Sequence, residues 1–197
     1  MGWCIRVSTI TKKEAVVGAL VEEAREMRSW QVVGFAKSFL AINLAVELSG
    51  RGASTVIYTD PDHPYVTWNK TGQVQVVERS EDIVADATDW LILDGTAHDF
   101  EPDGYLYGYT PDLVRAARAE AFRKHSAKPT LLALVGYHGA YGAMFLADAA
   151  IPWDERQTSS ILAGMPLAGR DPKVGKLFAH LVTRMEEVLP HVDRRRS

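Results

Sequence analysis

The stretch VVGFAKSFLAINLAVELSGRG, residues 32–52, decides how the rest of the chain is read. In its second part Phe39, Leu40, Ile42, Leu44, Val46 and Leu48 make a helix apolar around most of its circumference, and Gly50 and Gly52 stop it. Such a helix belongs inside a layered domain rather than on its surface. Lys37 and Ser38 stand at its start. Lysine followed by serine at a helix amino terminus suits a phosphate with Mg²⁺: the amine meets phosphate oxygens and the hydroxyl ligates the metal. The residues just before, VVGFA, contain a single glycine, Gly34, where a phosphate-cradling loop draws on several.

Working outward, strands and helices alternate. WCIRVSTI (3–10) reads as a short strand, and residues 12–29 carry Val16, Ala19, Leu20, Ala24 and Met27 at helical spacing. QVVGF (31–35) has strand character. TVIYTDPD (55–62) is a buried strand ending in an Asp-Pro turn, VQVVERS (74–80) alternates, EDIVADA (81–87) suggests a short helix, and DWLILDG (89–95) is a second buried strand. YLYGYTP (105–111) suggests a third strand, and residues 111–128 an amphipathic helix with Pro111 placed to open it. PTLLALVGYHGAYG (129–142) is a fourth strand running into a glycine-containing loop. MFLADAAIPWDE (144–155) has no clear period, RQTSSILAG (156–164) is a helix closed by Gly164, and residues 172–190 form a final amphipathic helix before a frayed basic tail. This alternation predicts an α/β fold, a predominantly parallel sheet flanked by helices on both faces. With no repeat and no linker, residues 1–197 read as one domain with an atypical N-terminal strand-helix segment, 1–30.

A net charge of −3 gives no general field for nucleic acid, so DNA binding would need a local patch such as RAARAEAFRKH (115–125) or Arg194–Arg196. The single Cys4 excludes an internal disulfide and a multi-cysteine zinc site, and the six histidines lack metal-ligand spacing. No stretch approaches the roughly 18 apolar residues of a membrane span, and the first residues do not resemble a secretory leader. The expectation is a cytoplasmic protein without a membrane segment.

In a parallel sheet, ligands gather at the carboxyl ends of the strands. The polar residues predicted there are Lys37, Ser38, Asp60 after TVIYT, and Asp94 after DWLIL. An aspartate after an apolar strand suits the outer shell of a metal or a bound water.

NLAVELSGRGASTVIYTDPDHPYVTWNKTG (43–72) resembles the ParA/ParF plasmid-partition branch of the MinD/CobQ-type deviant Walker P-loop ATPases. LILDG (91–95) is similar to the family's Walker B strand, and residues 150–189 to its C-terminal part. The resemblance implies a P-loop NTPase-like fold of ParA/MinD type and ATP with Mg²⁺ as cofactors. It places Lys37, Ser38, Asp60 and Asp94 at the nucleotide, with Ser38 and Asp94 at the metal. A homodimer and a ParB-type or other protein partner are also implied.

The departures are specific. Aligned on Lys37-Ser38 with the family's KGGxGK[ST] loop, Val32 takes the place of the signature lysine, while Val33 and Ala36 replace glycines. Alternatively QVVGF is the first strand and most of the loop is missing. Tyr58 stands where the family has the first Asp of Asp-x-Asp-Pro, which helps to position the attacking water. TAHDFEPDGYLYGYTP (96–111) is shorter than the family's corresponding region. A pseudo-ATPase working through protein or DNA contacts is therefore expected. Its rivals are an active ParA-like ATPase whose nucleotide-dependent dimerisation segregates DNA or positions cargo, and an accessory protein that binds through helix 12–29.

Overall fold

The computed structural model describes residues 27–61, 74–95, 100–137, 146–152, 154–157, 159 and 166–189. The expectations for residues 1–26, for the glycine-containing loop after Tyr137, for most of helix 156–164 and for the basic tail lie outside these residues.

The strands are β1 (Arg28–Gly34), β2 (Thr55–Thr59), β3 (Gln75–Val77), β4 (Trp90–Asp94), β5 (Gly104–Tyr109), β6 (Thr130–Tyr137) and β7 (Ala149–Pro152). The helices are α1 (Lys37–Gly50), α2 (Leu113–His125) and α3 (Pro172–Val188). The strands form one seven-stranded sheet in the order β3-β2-β4-β1-β5-β6-β7, and every pairing is parallel. The α/β expectation holds. The continuous apolar run of β4, WLILD, is buried along its whole length, as a strand covered on both faces should be.

One face of the sheet is sealed by α1 and α3. Trp30 and Val32 of β1, Ile57 of β2, Ile92 of β4 and Leu106 of β5 pack there against Phe39, Leu40, Leu44 and Leu48 of α1 and Phe178, Leu181 and Met185 of α3. Phe39 meets Phe178 edge to face, with ring centroids 5.8 Å apart. Because α1 has the sheet beneath it and α3 against it, its near-continuous apolar circumference is accounted for. Its one buried amide is satisfied twice. Asn43 Nδ2 donates to Phe39 O at 2.8 Å, and Asn43 Oδ1 accepts from Ala168 N at 2.7 Å, which ties the turn before α3 to the middle of α1.

On the opposite face α2 covers β5 and β6. Phe122 packs edge-on against Tyr105 at 5.2 Å and lies 5.1 Å from Tyr107. Burial pushes the Tyr109 hydroxyl up to about 12 on the same face. Farther along, Val56, Val77, Leu91 and Leu93 form a second cluster with Met27, Tyr58, Ile83 and Phe100 packed against it.

Three sequence expectations are corrected. Arg28 and Ser29, predicted to end helix 12–29, belong to β1, where parallel pairing to β4 outweighs the helical spacing upstream. EDIVADA does not form one helix: it makes two 3₁₀ turns, Ser80–Asp82 and Ala85–Ala87, with Ile83 and Val84 extended between them. There Thr88 Oγ1 donates to Val84 O at 2.8 Å. α2 is opened by Asp112 rather than Pro111: the Asp112 carboxylate accepts from Val114 N at 2.9 Å and Arg115 N at 3.0 Å. Asp171 caps α3 in the same way, and Pro172 follows at the first helical position. Arg156 bridges Asp154 and Asp171 at 2.5 and 2.7 Å, and its hydrogen bonds hold both carboxyls below the usual carboxylate range. The stretch without a clear period, 144–155, supplies β7.

β1 and β5 approach so closely at their carboxyl ends that only glycine fits. A Cβ on Gly108 would lie 2.1 Å from Phe35 O, and one on Gly34 (φ +82°) would lie 2.3 Å from Gly108 O. Gly50 has open space around it and no positive φ. Gly108→Ala should therefore destabilise the fold by about 2–3 kcal/mol, whereas Gly50→Ala should leave it unchanged or add about 0.5 kcal/mol. Urea unfolding midpoints of the two variants test the contrast.

Candidate functional site

The candidate site lies at the carboxyl end of the sheet around β1, β4 and β2. Only Phe35 and Ala36 separate β1 from α1. Phe35 N donates to Gly108 O at 2.7 Å, which fastens the turn to β5. Ala36 is left-handed (φ 56°, ψ 33°), an unusual conformation for alanine, and its carbonyl accepts the first helical bond from Leu40 N at 3.0 Å. No side chain caps α1, and its first turn contains no acid, so the partial positive charge of its amino end is not offset by a neighbouring carboxylate on the helix. Lys37 and Ser38 sit half-buried on that first turn.

Val32 and Val33 are strand residues. Val32 is fully buried and lies between Asp94 of β4 and Leu106 of β5 in the register. The alignment that treats residues 32–36 as a loop, with Val32 at a signature-lysine position, is thereby corrected in favour of the reading in which QVVGF continues the first strand. The physical reason is that β1 must be long enough to pair on both edges, and Val32 supplies part of that pairing.

The same register gathers the other polar residues. Val32, Asp94 and Thr59 form one row across β1, β4 and β2. Strand alternation places Asp94 in phase with Ile92, and Thr59 in phase with Ile57, on the face covered by α1. Asp94 is 2% exposed and Thr59 is 3% exposed. The Thr59 hydroxyl is buried without a hydrogen-bond partner. Asp60, the next residue, is exposed and its carboxylate lies directly over Gly95, where an added Cβ would fall 2.5 Å from Asp60 Oδ2. The structure therefore brings Asp60 against the residue that follows Asp94, and sets Lys37 and Ser38 at the start of the helix covering this face. Sequence reasoning missed Thr59. Its signal was available: a polar residue in the inward phase of an otherwise apolar strand.

Tyr58 points to the opposite face, where it meets Phe100 edge-on at 5.7 Å. It packs in the second apolar cluster, away from the side that carries Asp94 and Thr59. The basic segment 115–125 is partly neutralised within its own helix and neighbours. Arg115 pairs with Asp112 at 3.3 Å and lies over the Phe35 ring at 5.7 Å, and Arg123 pairs with Glu120 at 2.7 Å. Among the described residues no cluster of three or more His, Cys, Asp or Glu side chains could hold a metal ion, and no helix is long and apolar enough to cross a membrane.

This strand order, with a helix leaving the central strand directly into the covered face, is the ParA/MinD type of α/β P-loop NTPase fold. The chain is similar to the MinD cell division protein of Aquifex aeolicus, with a TM-score of 0.64 and 9% identity over 81% of this chain and 97% of that one. It is similar also to the MinC:MinD complex of the same organism, with a TM-score of 0.60, 10% identity, and 81% and 96% covered. A third likeness is apo McdA of Cyanthece, with a TM-score of 0.55, 12% identity, and 81% and 100% covered. At such identities the likeness is one of fold. No protein-family model matches the sequence, and no curated protein matches it significantly.

An orphaned hydroxyl in a dry core costs stability, and valine has the shape of threonine without it. Thr59→Val should therefore raise stability by about 1 kcal/mol. A loss of stability in urea unfolding would mean that the hydroxyl is used.

Proposed function

We propose that this protein is a divergent ParA/ParF-like member of the deviant Walker class that has lost ATP hydrolysis and acts through protein or DNA contacts in plasmid or DNA maintenance. The observation that carries the reading is the connection from β1 to α1. A phosphate-binding loop presents several consecutive backbone N–H groups around a concavity. Here two residues make the whole turn, and the Phe35 N–H is already bonded to Gly108 O. Gly34 and Gly108 pack backbone against backbone, which fills the space on the β5 side. A turn this short, with that donor already used, does not fit the triphosphate of ATP, although Lys37, Ser38, Asp60 and Asp94 stand near it. Exposed apolar side chains support contact with a partner at this edge: Phe35 at 39%, Leu113 at 77% and Val114 at 62%.

A second reading, an active ATPase whose dimerisation depends on nucleotide, is favoured by one observation. Thr59 and Asp94 form an adjacent polar pair, nearly dry, on the face covered by α1. An unused hydroxyl beside a buried carboxylate is what a site awaiting a ligand would retain.

Calorimetric titration of the whole chain with ATP and Mg²⁺ separates the two. The first reading expects no heat of binding at millimolar nucleotide, and Lys37→Ala should then change stability by less than about 0.5 kcal/mol, as for an exposed or half-exposed lysine without a bound anion. Micromolar binding abolished by Lys37→Ala, or steady ATP turnover with the same dependence, would establish the second.

Restoring phosphate binding should require added chain. Substituting glycine for Val33 and Ala36, with lysine for Val32, alters the central strand and should cost stability without conferring nucleotide binding. Lengthening the turn between Gly34 and Lys37 with glycines should be necessary for any binding, and Tyr58→Asp should add no turnover on its own, because that side chain faces away from Asp94. Titrations of the two variants check this order of effects.

A further inference from the structure

The three helices are covered to very different extents. α1 buries eight of its residues and α3 five, whereas in α2 Ala119 alone is buried. Ala116 and Phe122, both half-buried, complete the contact of α2 with β5 and β6. With about 3.6 residues per turn, Leu113, Val114, Ala117 and Ala121 fall together on the opposite side of the helix. All four are exposed. A single exposed leucine is ordinary, but two large apolar side chains at the head of a continuous apolar stripe form a patch. Phe35 stands beyond that head, with Arg115 over its ring at 5.7 Å. Arg118 flanks the stripe beside Val114, and Lys124 stands at its far end beyond Ala121. Arg115 pairs with Asp112, and Arg123 with Glu120, but Arg118 and Lys124 are exposed and have no ion pair among the described residues. The field over the stripe is therefore positive, in a chain whose net charge is −3.

We propose that this side of α2 docks an acidic amphipathic helix of a partner protein. The partner's apolar side chains lie on the stripe from Leu113 to Ala121, and its carboxylates meet Arg118 and Lys124. The proposal rests on the reading that this chain works through contacts, and it gives one of them a chemistry. Leu113 and Val114 are the apolar anchors, and the small side chains of Ala117 and Ala121 leave room for larger ones from the partner. Duplex DNA suits the surface less well, because leucine and valine offer phosphates no donor and two unpaired cations are few for a polyanion. A second copy of this chain would set Arg118 and Lys124 against their own duplicates, and like charges repel.

The test uses the full chain without nucleotide and a fluorescent synthetic peptide of about five helical turns, with leucines on one stripe and glutamates elsewhere. Anisotropy titration should show binding of this peptide and at least tenfold weaker binding of the same peptide with lysines for glutamates. Arg118→Glu combined with Lys124→Glu should weaken the acidic peptide about tenfold and strengthen the lysine peptide, which a damaged fold would not do. Leu113→Ser with Val114→Ser should weaken both peptides. Lys173→Glu with Lys176→Glu makes the same charge change on the exposed side of α3 and should leave binding unchanged. No binding of the acidic peptide, equal binding of both peptides, or equal effects of the α2 and α3 reversals would overturn the proposal. So would a duplex DNA probe that outcompetes the acidic peptide, or sedimentation showing a dimer dispersed by the α2 reversal. Because nucleotide is absent throughout, ATP binding found separately would overturn the pseudo-ATPase reading and leave this surface standing, and failure here would leave that reading untouched.

Discussion

The contact on which the rest depends is the approach of β1 to β5 at their carboxyl ends, where Gly34 and Gly108 lie backbone to backbone and Phe35 N donates to Gly108 O. It ends the central strand abruptly and turns the chain into α1 within two residues. The helix is thereby launched across the sheet rather than away from it. Its apolar circumference follows from that trajectory, since it must fill the space between the sheet and α3. The same contact uses a backbone donor and closes the space where a longer turn would stand, so one packing constraint shapes both the core and the candidate site.

The layers on the two faces are held together at the edge of the sheet as well as through its centre. Asp148, just before β7, accepts from Leu132 N at 2.8 Å and lies 3.7 Å from Arg123 of α2 and 3.9 Å from Arg184 of α3. One half-buried carboxylate thus faces cations from both helical layers. Its value lies less in the ion pairs, which are long and partly solvated, than in fixing the register at which β7 enters beside β6. Arg51 plays a comparable part between α1 and α3, donating to Ala179 O at 2.7 Å and pairing with Glu47 and Glu186.

At the carboxyl edge the chemistry is unevenly distributed. Asp94 and Thr59 are adjacent and nearly dry, whereas Asp60 stands in solvent over Gly95 and Lys37 and Ser38 occupy the first turn of α1. Such a pair in an apolar surrounding is expensive unless something repays it. Around it the exposed side chains of Phe35, Leu113 and Val114 give the edge an apolar character, with Arg115 stacked over Phe35.

The sequence by itself determined the α/β class, because its apolar runs and helical stripes alternate and each period is strong over a whole element. It determined α1 through residues 39–48, β2 and β4 through their unbroken apolar runs, and the polar residues that follow them, Asp60 and Asp94. Tertiary structure decided what local pattern left open. Whether Val32 and Val33 were loop or strand depended on partners distant in the chain, Asp94 and Leu106, which no local period reveals. Arg28 and Ser29 became strand for the same reason, paired to Trp90 and Leu91. Residues 81–87 broke into two turns because the chain crosses there between parallel strands with too few residues for a packed helix. Thr59 and Tyr58 are neighbours in sequence with the same propensity for a strand, and only the placement of α1 on one face made the first part of the candidate site and the second part of the opposite core.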